Sequence, residues 1–167
     1  GLSYAIVRPT VLFGLEDVLI NNIAWLLRRF PIFAIPGTGE YRLQPVHVAD
    51  VALLAVQASE DKNNLTIDAV GPETYSFEAL VKAVKKAIGS RTRLIRLAPS
   101  LCYAFTAAID PFVRDIIVTR DEIKKLMLDN LVSYEPPMGK TRFSSWLMEN
   151  ADRIGRDYAS ELKRHFH

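Results

Sequence analysis

The strongest constraint on the fold is the alternation of short apolar runs with segments of helical spacing. Residues 2–7 and 65–70 are apolar runs with β propensity, and two helical patterns lie between them. A continuous apolar strand usually lies inside a parallel sheet covered on both faces, and parallel strands need a crossover helix. The pattern therefore predicts an α/β fold with some parallel sheet, followed by a more helical C-terminal half.

Three segments in the first half of the chain have helical spacing. The first spans residues 18–30, with acidic residues before it and basic residues at its end, which suits a helix dipole. A second helix begins near Asp50. The third spans residues 77–88, where Ser76 is a candidate N-cap and Gly89 follows the last turn.

Two further strands complete the sheet elements. Residues 41–48 favour a strand between the first two helices, and residues 93–97 favour an edge strand, because arginines alternate with apolar residues there. The change from alternating elements to mostly helical ones predicts two parts. Residues 1–90 are expected to form a sheet-containing domain, and residues 91–167 a mostly helical region.

The helical region contains one unusually apolar segment. Residues 97–118 carry more apolar surface than one helix stripe needs, so they are either core or covered by a partner, a ligand or lipid. Thr119 and Glu122 have the spacing of a capping box. A last helix follows, with Ser144 or Ser145 as its cap.

Composition excludes several classes of function. The chain is 49% hydrophobic and 24% charged, which is typical of a soluble globular protein. Its net charge of +2 is too small for nucleic-acid binding driven by bulk charge. The longest stretch without charge, residues 97–109, is too short to span a membrane. The single cysteine, Cys102, cannot form an internal disulfide, so we expect a reducing compartment, the cytoplasm.

No complete catalytic or metal-binding motif is present in the sequence. The turn Gly37-Thr38-Gly39 lacks the third glycine of a dinucleotide loop and leads to a strand instead of a helix. Cys102 lies among apolar residues, which disfavour its thiolate form. His165 and His167 are terminal, and the histidines and the cysteine lack zinc-ligand spacing. We therefore predict no catalytic residue and no metal site.

Two residues are candidates for ligand contacts. His47 comes at the end of a predicted strand and just before a helix, where ligand sites of α/β proteins often form. Arg42 lies near the start of the same strand, where a guanidinium could hold an anion. A structural histidine and a surface ion pair are the alternative interpretations of these two residues.

Five stretches of this sequence resemble one known protein family. They are residues 5–14 (AIVRPTVLFG), 44–52 (QPVHVADVA), 70–73 (VGPE), 119–123 (TRDEI) and 158–165 (YASELKRH). In this order the stretches resemble the second half of an extended or atypical short-chain dehydrogenase/reductase. The chain is most similar to the NAD-dependent epimerase/dehydratase-like branch, which includes the Rossmann-type accessory subunit of respiratory complex I.

The resemblance implies that residues 1–90 are the C-terminal part of a Rossmann-like NAD(P)-binding domain with substrate-side insertions, and residues 91–167 a helical substrate or partner region. The cofactor loop and the catalytic Tyr-x-x-x-Lys pair would lie upstream. No tyrosine of this chain is followed by lysine four residues later. The chain therefore resembles the C-terminal half of such a protein, and NAD or NADP is expected in the intact protein only. By analogy, Pro9, Thr10 and Val11 would contact the nicotinamide, while Arg42 and His47 would line the substrate side.

The resemblance implies two functions, which the residues of this chain leave open. The parent protein is an NAD(P)-dependent oxidoreductase or epimerase, or else a non-catalytic nucleotide-binding accessory protein of a respiratory complex. Leu43 stands where sugar-nucleotide epimerases carry a phosphate-binding arginine, so a nucleotide-sugar substrate is not implied. We expect the isolated chain to be inactive. Its expected partners are the N-terminal half, an unknown small substrate and a second copy, with membrane or complex association through a partner; nucleic acid is not expected.

Overall fold

The computed structural model of the chain describes residues 3–104, 120–128 and 130–159. The strands are β1 (Ala5–Pro9), β2 (Val11–Phe13), β3 (Ile32–Pro36), β4 (Arg42–Leu43), β5 (Pro45–His47), β6 (Leu65–Ala69), β7 (Tyr75–Ser76) and β8 (Arg93–Leu97). The helices are α1 (Leu19–Arg29), α2 (Val48–Glu60), α3 (Phe77–Ala87), α4 (Arg120–Leu126) and α5 (Phe143–Asn150). Residues 99–104 are also helical.

The described strands form four two-stranded pairs. Three pairs are parallel, namely β1 with β6, β2 with β5, and β3 with β8, whereas β4 and β7 are antiparallel. Helix α2 connects β5 to β6 and packs against β1, β5 and β6. The expected alternation of parallel strands and helices is confirmed, and the protein has an α/β fold.

The hydrophobic core lies where α1, α3 and α5 meet. Phe13, Ile20, Leu80 and Phe143 are completely buried there. The rings of Phe13 and Phe143 are 5.2 Å apart, and the ring of Trp146 lies 5.1 Å from Phe13, both in edge-to-face geometry. Residues from both sides of position 90 therefore share one core, which we call the helical core.

The second region, formed by β1, α2 and β6, is much less covered. In β1, Ile6 is 48% exposed, and on α2 Leu53 and Val56 are 53% and 58% exposed. Only Leu54 and Ala58 of α2 are buried. We call this region the sheet unit. Its first strand was expected to be covered on both faces, but in the described part of the chain four of its five residues are exposed. We call the exposed apolar surface of this unit, which includes Ile6, Leu53 and Val56, the open face.

Local signals predicted several helix boundaries. Helix α1 occupies the segment expected from its spacing, and the Ser76 hydroxyl accepts a hydrogen bond from the Ala79 N–H at 3.2 Å, as an N-cap does. Gly89 has a φ of 66°, which fits its position after α3. The edge strand at residues 93–97 is β8, whose neighbour among the described strands is β3.

Other local expectations are wrong or fall outside the described residues. The strand expected over residues 41–48 is interrupted at Gln44, whose N–H donates to the Leu131 carbonyl. Neither serine caps the last helix: α5 begins at Phe143, and the N–H of Ser144 donates to Glu73 Oε2 at 2.9 Å. Most of the apolar segment 97–118, Thr119 of the capping box, and both terminal histidines lie outside the described residues.

Candidate functional site

An open groove of about 590 Å³ lies between the ends of β2 and β5 and the helical core. Residues 12–17 form one wall, and His47, Val48 and Trp146 form the other. The parallel pairing of β2 with β5 sets Phe13 opposite His47, so the two strands end side by side at the groove. Ligands of α/β proteins commonly bind at the carboxyl ends of parallel strands, and this groove has that position.

His47 is the polar side chain at the end of β5. Its Nδ1 accepts a hydrogen bond from the Ala49 N–H at 3.3 Å, so the ring caps the start of α2. In the neutral ring, this leaves the proton on Nε2, which can donate to a ligand. The ring also lies 5.1 Å from Phe13, edge to face. His47 is therefore both a cap and a potential donor in the groove.

Asp17 is the ionisable group of the opposite wall. Its carboxylate accepts the N–H of Ile20 at 2.6 Å and the side-chain amide of Asn21 at 3.0 Å. Burial raises the pKa of Asp17 to about 6, although these hydrogen bonds oppose the shift. The groove thus contains a carboxyl group that titrates near neutral pH. The sequence identified Asp17 only as an acidic residue preceding a helix.

The three residues expected beside a nicotinamide follow one another at the end of β1. Pro9 is the last residue of that strand, and Val11 is buried at the start of β2. The Thr10 hydroxyl donates to the Gln44 carbonyl, which ties the β1–β2 junction to the β4–β5 junction. None of the three lines the groove itself. Leu12, the next residue, does.

Arg42 and His47 are not brought together in this groove. Arg42 lies in β4, where it is paired with Ser76, and it is absent from the groove lining. His47 lines the groove from β5. The two residues predicted for the substrate side therefore lie in different strand pairs, and of the two His47 lines the groove.

A segment after α4 crosses the carboxyl ends of β1 and β6. Ser133 donates from its hydroxyl to Asp68 at 2.8 Å, and the same carboxylate forms an ion pair with Arg8 at 2.7 Å. The side chain of Gln44 accepts the Ser133 N–H and donates to the Gly71 carbonyl. These hydrogen bonds hold the pKa of Asp68 below its usual range. Sequence reasoning missed this network, because its members are far apart in the chain.

Metal binding has no support in the described residues. Among them, no three histidine, cysteine, aspartate or glutamate side chains are grouped closely enough to hold a metal ion. Cys102 is buried, which raises the pKa of its thiol. None of the described helices has the length and hydrophobicity needed to cross a membrane.

The fold with these parallel strand pairs is similar to that of solved nucleotide-sugar epimerases. A UDP-N-acetylglucosamine 4-epimerase from Methanobrevibacter ruminantium M1 matches with a TM-score of 0.57 and 18% identity, over 91% of this chain and 46% of that one. A UDP-glucuronic acid 4-epimerase from Bacillus cereus matches with a TM-score of 0.53 and 18% identity, over 90% and 44%. At these identities the likeness concerns the fold alone, and it confirms the expected class.

Two relatives found by sequence are named as mitochondrial subunits of an NADH dehydrogenase or NADH-ubiquinone oxidoreductase. The chain is 27% identical over 139 residues to the NADH dehydrogenase [ubiquinone] 1 alpha subcomplex subunit 9, mitochondrial, of Arabidopsis thaliana, covering 77% of this chain and 35% of the relative. It is 29% identical over 149 residues to the NADH-ubiquinone oxidoreductase 40 kDa subunit, mitochondrial, of Neurospora crassa, covering 88% and 38%. No protein-family profile matches the chain.

These matches confirm the resemblance to extended and atypical short-chain dehydrogenase/reductase proteins, including the complex I accessory subunit. The chain spans little more than a third of the length of the curated relatives it matches. This coverage fits the expectation that the sequence corresponds to part of such a protein.

Proposed function

We propose that this chain is the C-terminal part of an NAD(P)-binding protein of the short-chain dehydrogenase/reductase type. The observation that carries the proposal is the sheet unit, in which β1 and β6 pair in parallel while Ile6 of β1 and Leu53 and Val56 of α2 stay exposed. A parallel sheet is normally covered on both faces, so this unit fits a larger sheet whose other strands hold the cofactor. The sequence relatives and the epimerase-like fold support the same assignment.

Within that protein, Pro9, Thr10 and Val11 would lie beside the nicotinamide and offer backbone and packing contacts. Thr10 is held by the Gln44 carbonyl, which fixes the junction that would face the cofactor. His47 and Arg42 would serve the substrate side, His47 through its Nε2–H in the groove. We also propose that residues 1–90 serve the cofactor side and residues 91–167 the substrate or partner side, with the helical core shared between them.

A second function is favoured by the relatives. They are named as mitochondrial subunits of an NADH dehydrogenase [ubiquinone] and of an NADH-ubiquinone oxidoreductase, and this chain contributes no Tyr-x-x-x-Lys pair. In this version the parent protein binds a nucleotide without turning it over and serves as an accessory or assembly protein. Association with a membrane complex would then occur through a protein partner, whereas the cytoplasm stays the prediction from cysteine content.

The first experiment is calorimetric titration of the chain and of the longer product of its own gene with NADH and NADPH. We expect the longer protein to bind one of the two nucleotides. The chain alone should bind weakly, because the loop that would hold the pyrophosphate is absent from its sequence. A dissociation constant near 1 μM for the chain alone, about −8 kcal/mol, contradicts the proposal. Turnover by the longer protein separates the enzyme from the accessory protein.

The second experiment tests the partner of the sheet unit. Without the remaining strands, the chain should self-associate through the open face, where Leu53 and Val56 are exposed. Replacing both by serine should shift light scattering at micromolar concentration towards the monomer. Gln57→Ser with Glu60→Ser on the same helix is the matched control and should change nothing. A wild-type monomer with strongly protected β1 amides would show that the sheet unit needs no partner.

A further inference from the structure

One pole of the molecule is basic because two stretches of the chain contain no acidic residue. Residues 79–104 hold six lysines and arginines and no aspartate or glutamate. Residues 18–39 hold Arg28 and Arg29 and likewise no acidic residue. Both stretches contribute to the same side of the fold, because β3 and β8 pair in parallel and α1 packs against α3.

Short hydrogen bonds fasten the two stretches together. The Arg93 N–H donates to the Pro31 carbonyl at 2.8 Å, so the start of β8 lies against the end of α1. The Thr92 hydroxyl is within 2.8 Å of the carbonyl oxygens of Leu27 and Phe30. These contacts fix the turn that follows α3 beside the last turn of α1. The basic residues on both stretches therefore have defined positions.

Several basic residues near this pole already have partners. Lys82 and Arg96 form ion pairs with Glu78 at 2.8 Å and 2.6 Å. Arg28 and Arg29 donate to backbone carbonyls of the segment after α5. These residues hold the fold together. Their charged groups are consequently not counted as available to a partner, although Arg28 and Arg29 also line the groove beside the turn after α3.

Four other basic residues have no such partner in the part of the chain that the structure describes, and we call them the basic pole. They are Lys85, Lys86, Arg91 and Arg93. Among the described residues, none of the four lies within ion-pair distance of a carboxylate. Lys85 and Lys86 lie in the last turn of α3, where they complement the helix dipole. Arg91 and Arg93 lie outside any helix, so the dipole does not account for them.

A concave groove opens beside these residues. Its volume is about 570 Å³, and it is lined by residues 27–31 and 88–92, with Phe30, Pro31 and Ile88 among them. Within residues 27–32 and 88–93, Ile32 is the only large apolar side chain that is exposed, at 37%. A bilayer surface is flat and is bound through exposed apolar anchors beside the basic residues. A concave groove with one such anchor fits a polypeptide segment better.

We propose that the basic pole and this groove dock an acidic segment of a partner protein. Carboxylates of the segment would pair with Arg91 and Arg93 at the rim, while its backbone and small side chains fill the groove. Arginine suits this role because its guanidinium binds carboxylates in a bidentate manner. The surface is separate from the groove at His47, and the proposal does not depend on nucleotide binding.

The test is fluorescence anisotropy with a fluorescein-labelled glutamate-rich peptide and the intact chain at low salt. We expect Arg91→Gln with Arg93→Gln to weaken binding about tenfold, because both rim charges are removed. The control, Lys62→Gln with Lys140→Gln, removes the same charge from exposed positions next to α2 and before α5 and should change affinity less than about twofold. Melting temperatures verify that all variants fold.

Three results would overturn the proposal. Equal losses in the two double variants would mean that only net charge matters. Unchanged affinity in Arg91→Gln with Arg93→Gln would place the peptide elsewhere. Binding to phosphatidylserine vesicles without binding to the peptide would assign the basic pole to a lipid surface instead.

Discussion

The helical core and the sheet unit both contain helices rich in apolar residues, yet they bury these residues to different extents. Helices α1 and α3 bury most of their apolar side chains, including Ile20, Leu27 and Leu80, with at most 1% exposure. Helix α2 is longer, at 13 residues, and buries only Leu54 and Ala58. A helix that is apolar on two sides normally packs between two layers of structure, and α2 is covered on one side only in the described residues.

The two regions also differ in the hydrogen bonds that join distant parts of the chain. In the helical core, polar groups reach across the chain to satisfy one another. Asn21 accepts the Gly155 N–H at 3.1 Å, and Asn22 both donates to and accepts from the backbone of Ala159. In the sheet unit, the long-range hydrogen bond from Ser133 to Asp68 lies at the carboxyl ends of β1 and β6, while Leu53 and Val56 of α2 stay exposed. This is the side that we propose further chain or a partner covers.

The largest expected effect concerns the close packing of the helical core at Gly155. Its φ is +65°, and a Cβ there would lie 2.5 Å from the backbone of Ala24 and Trp25. Gly155→Ala therefore combines left-handed strain with a backbone clash, and we expect a loss of about 3 kcal/mol or more. Chemical denaturation followed by circular dichroism measures it.

Gly89 provides the matched control for that prediction. Its φ is +66°, but a Cβ there would meet nothing within 4 Å. Gly89→Ala should consequently cost about 1 kcal/mol, from backbone strain alone. If both variants lose the same stability, packing of the segment after α5 against α1 contributes little, and the contrast between the two regions is weaker than the structure indicates.

The second effect compares adjacent leucines within the sheet unit. Leu54 is 6% exposed and Leu53 is 53% exposed on the same helix. Leu54→Ala should lower the free energy of unfolding by about 2 kcal/mol, because it removes buried contacts and leaves a cavity. Leu53→Ala should cost less than about 0.5 kcal/mol in the monomer.

Thermal denaturation over a range of protein concentrations separates these two roles. The Leu54→Ala loss should be independent of concentration, whereas any effect of Leu53→Ala should grow with it, since Leu53 belongs to the open face. A large, concentration-independent loss in Leu53→Ala would mean that this face is already covered within the monomer.

How much of this could be predicted depended on how local each signal was. Helix α3 and its cap could be predicted because Ser76 acts three residues from its partner Ala79. The start of α5 could not, because its first turn is held by Glu73, 71 residues from Ser144. The left-handed backbone at Gly155 likewise depends on a contact with α1 that no local pattern specifies.

The residues of the candidate site likewise differ in whether neighbouring residues or distant contacts place them there. His47 could be recognised, because a strand end followed by a helix start is visible in the sequence and both elements are adjacent to it. Asp17 and Trp146 join the groove from the start of α1 and from α5, and only the packing of these helices brings them there. Hydrophobic spacing predicts elements, but it does not specify which of them will pack together.

The smallest predicted effect distinguishes two carboxylates of the helical core by their pH dependence. The pKa of Asp17 is raised to about 6 by burial, so its folded state holds a proton more tightly than the unfolded chain does. Its contribution to stability is therefore gained as pH falls from about 6 towards the model-peptide value of 3.8. The pKa of Glu73 is lowered, because hydrogen bonds from Ser144 outweigh its burial. Its contribution is present above 4.5 and is lost at lower pH.

Between pH 7 and 4.5, then, only Asp17 of this pair should change the stability of the fold. Relative to Asp17→Asn, which cannot titrate, the wild type should gain about 1–2 kcal/mol over this window. Glu73→Gln should show the same gain as the wild type there, since Glu73 titrates lower. Urea denaturation at several pH values measures the free energy of unfolding of each protein. If the wild-type and Asp17→Asn values change in parallel with pH, Asp17 ionises freely in the groove.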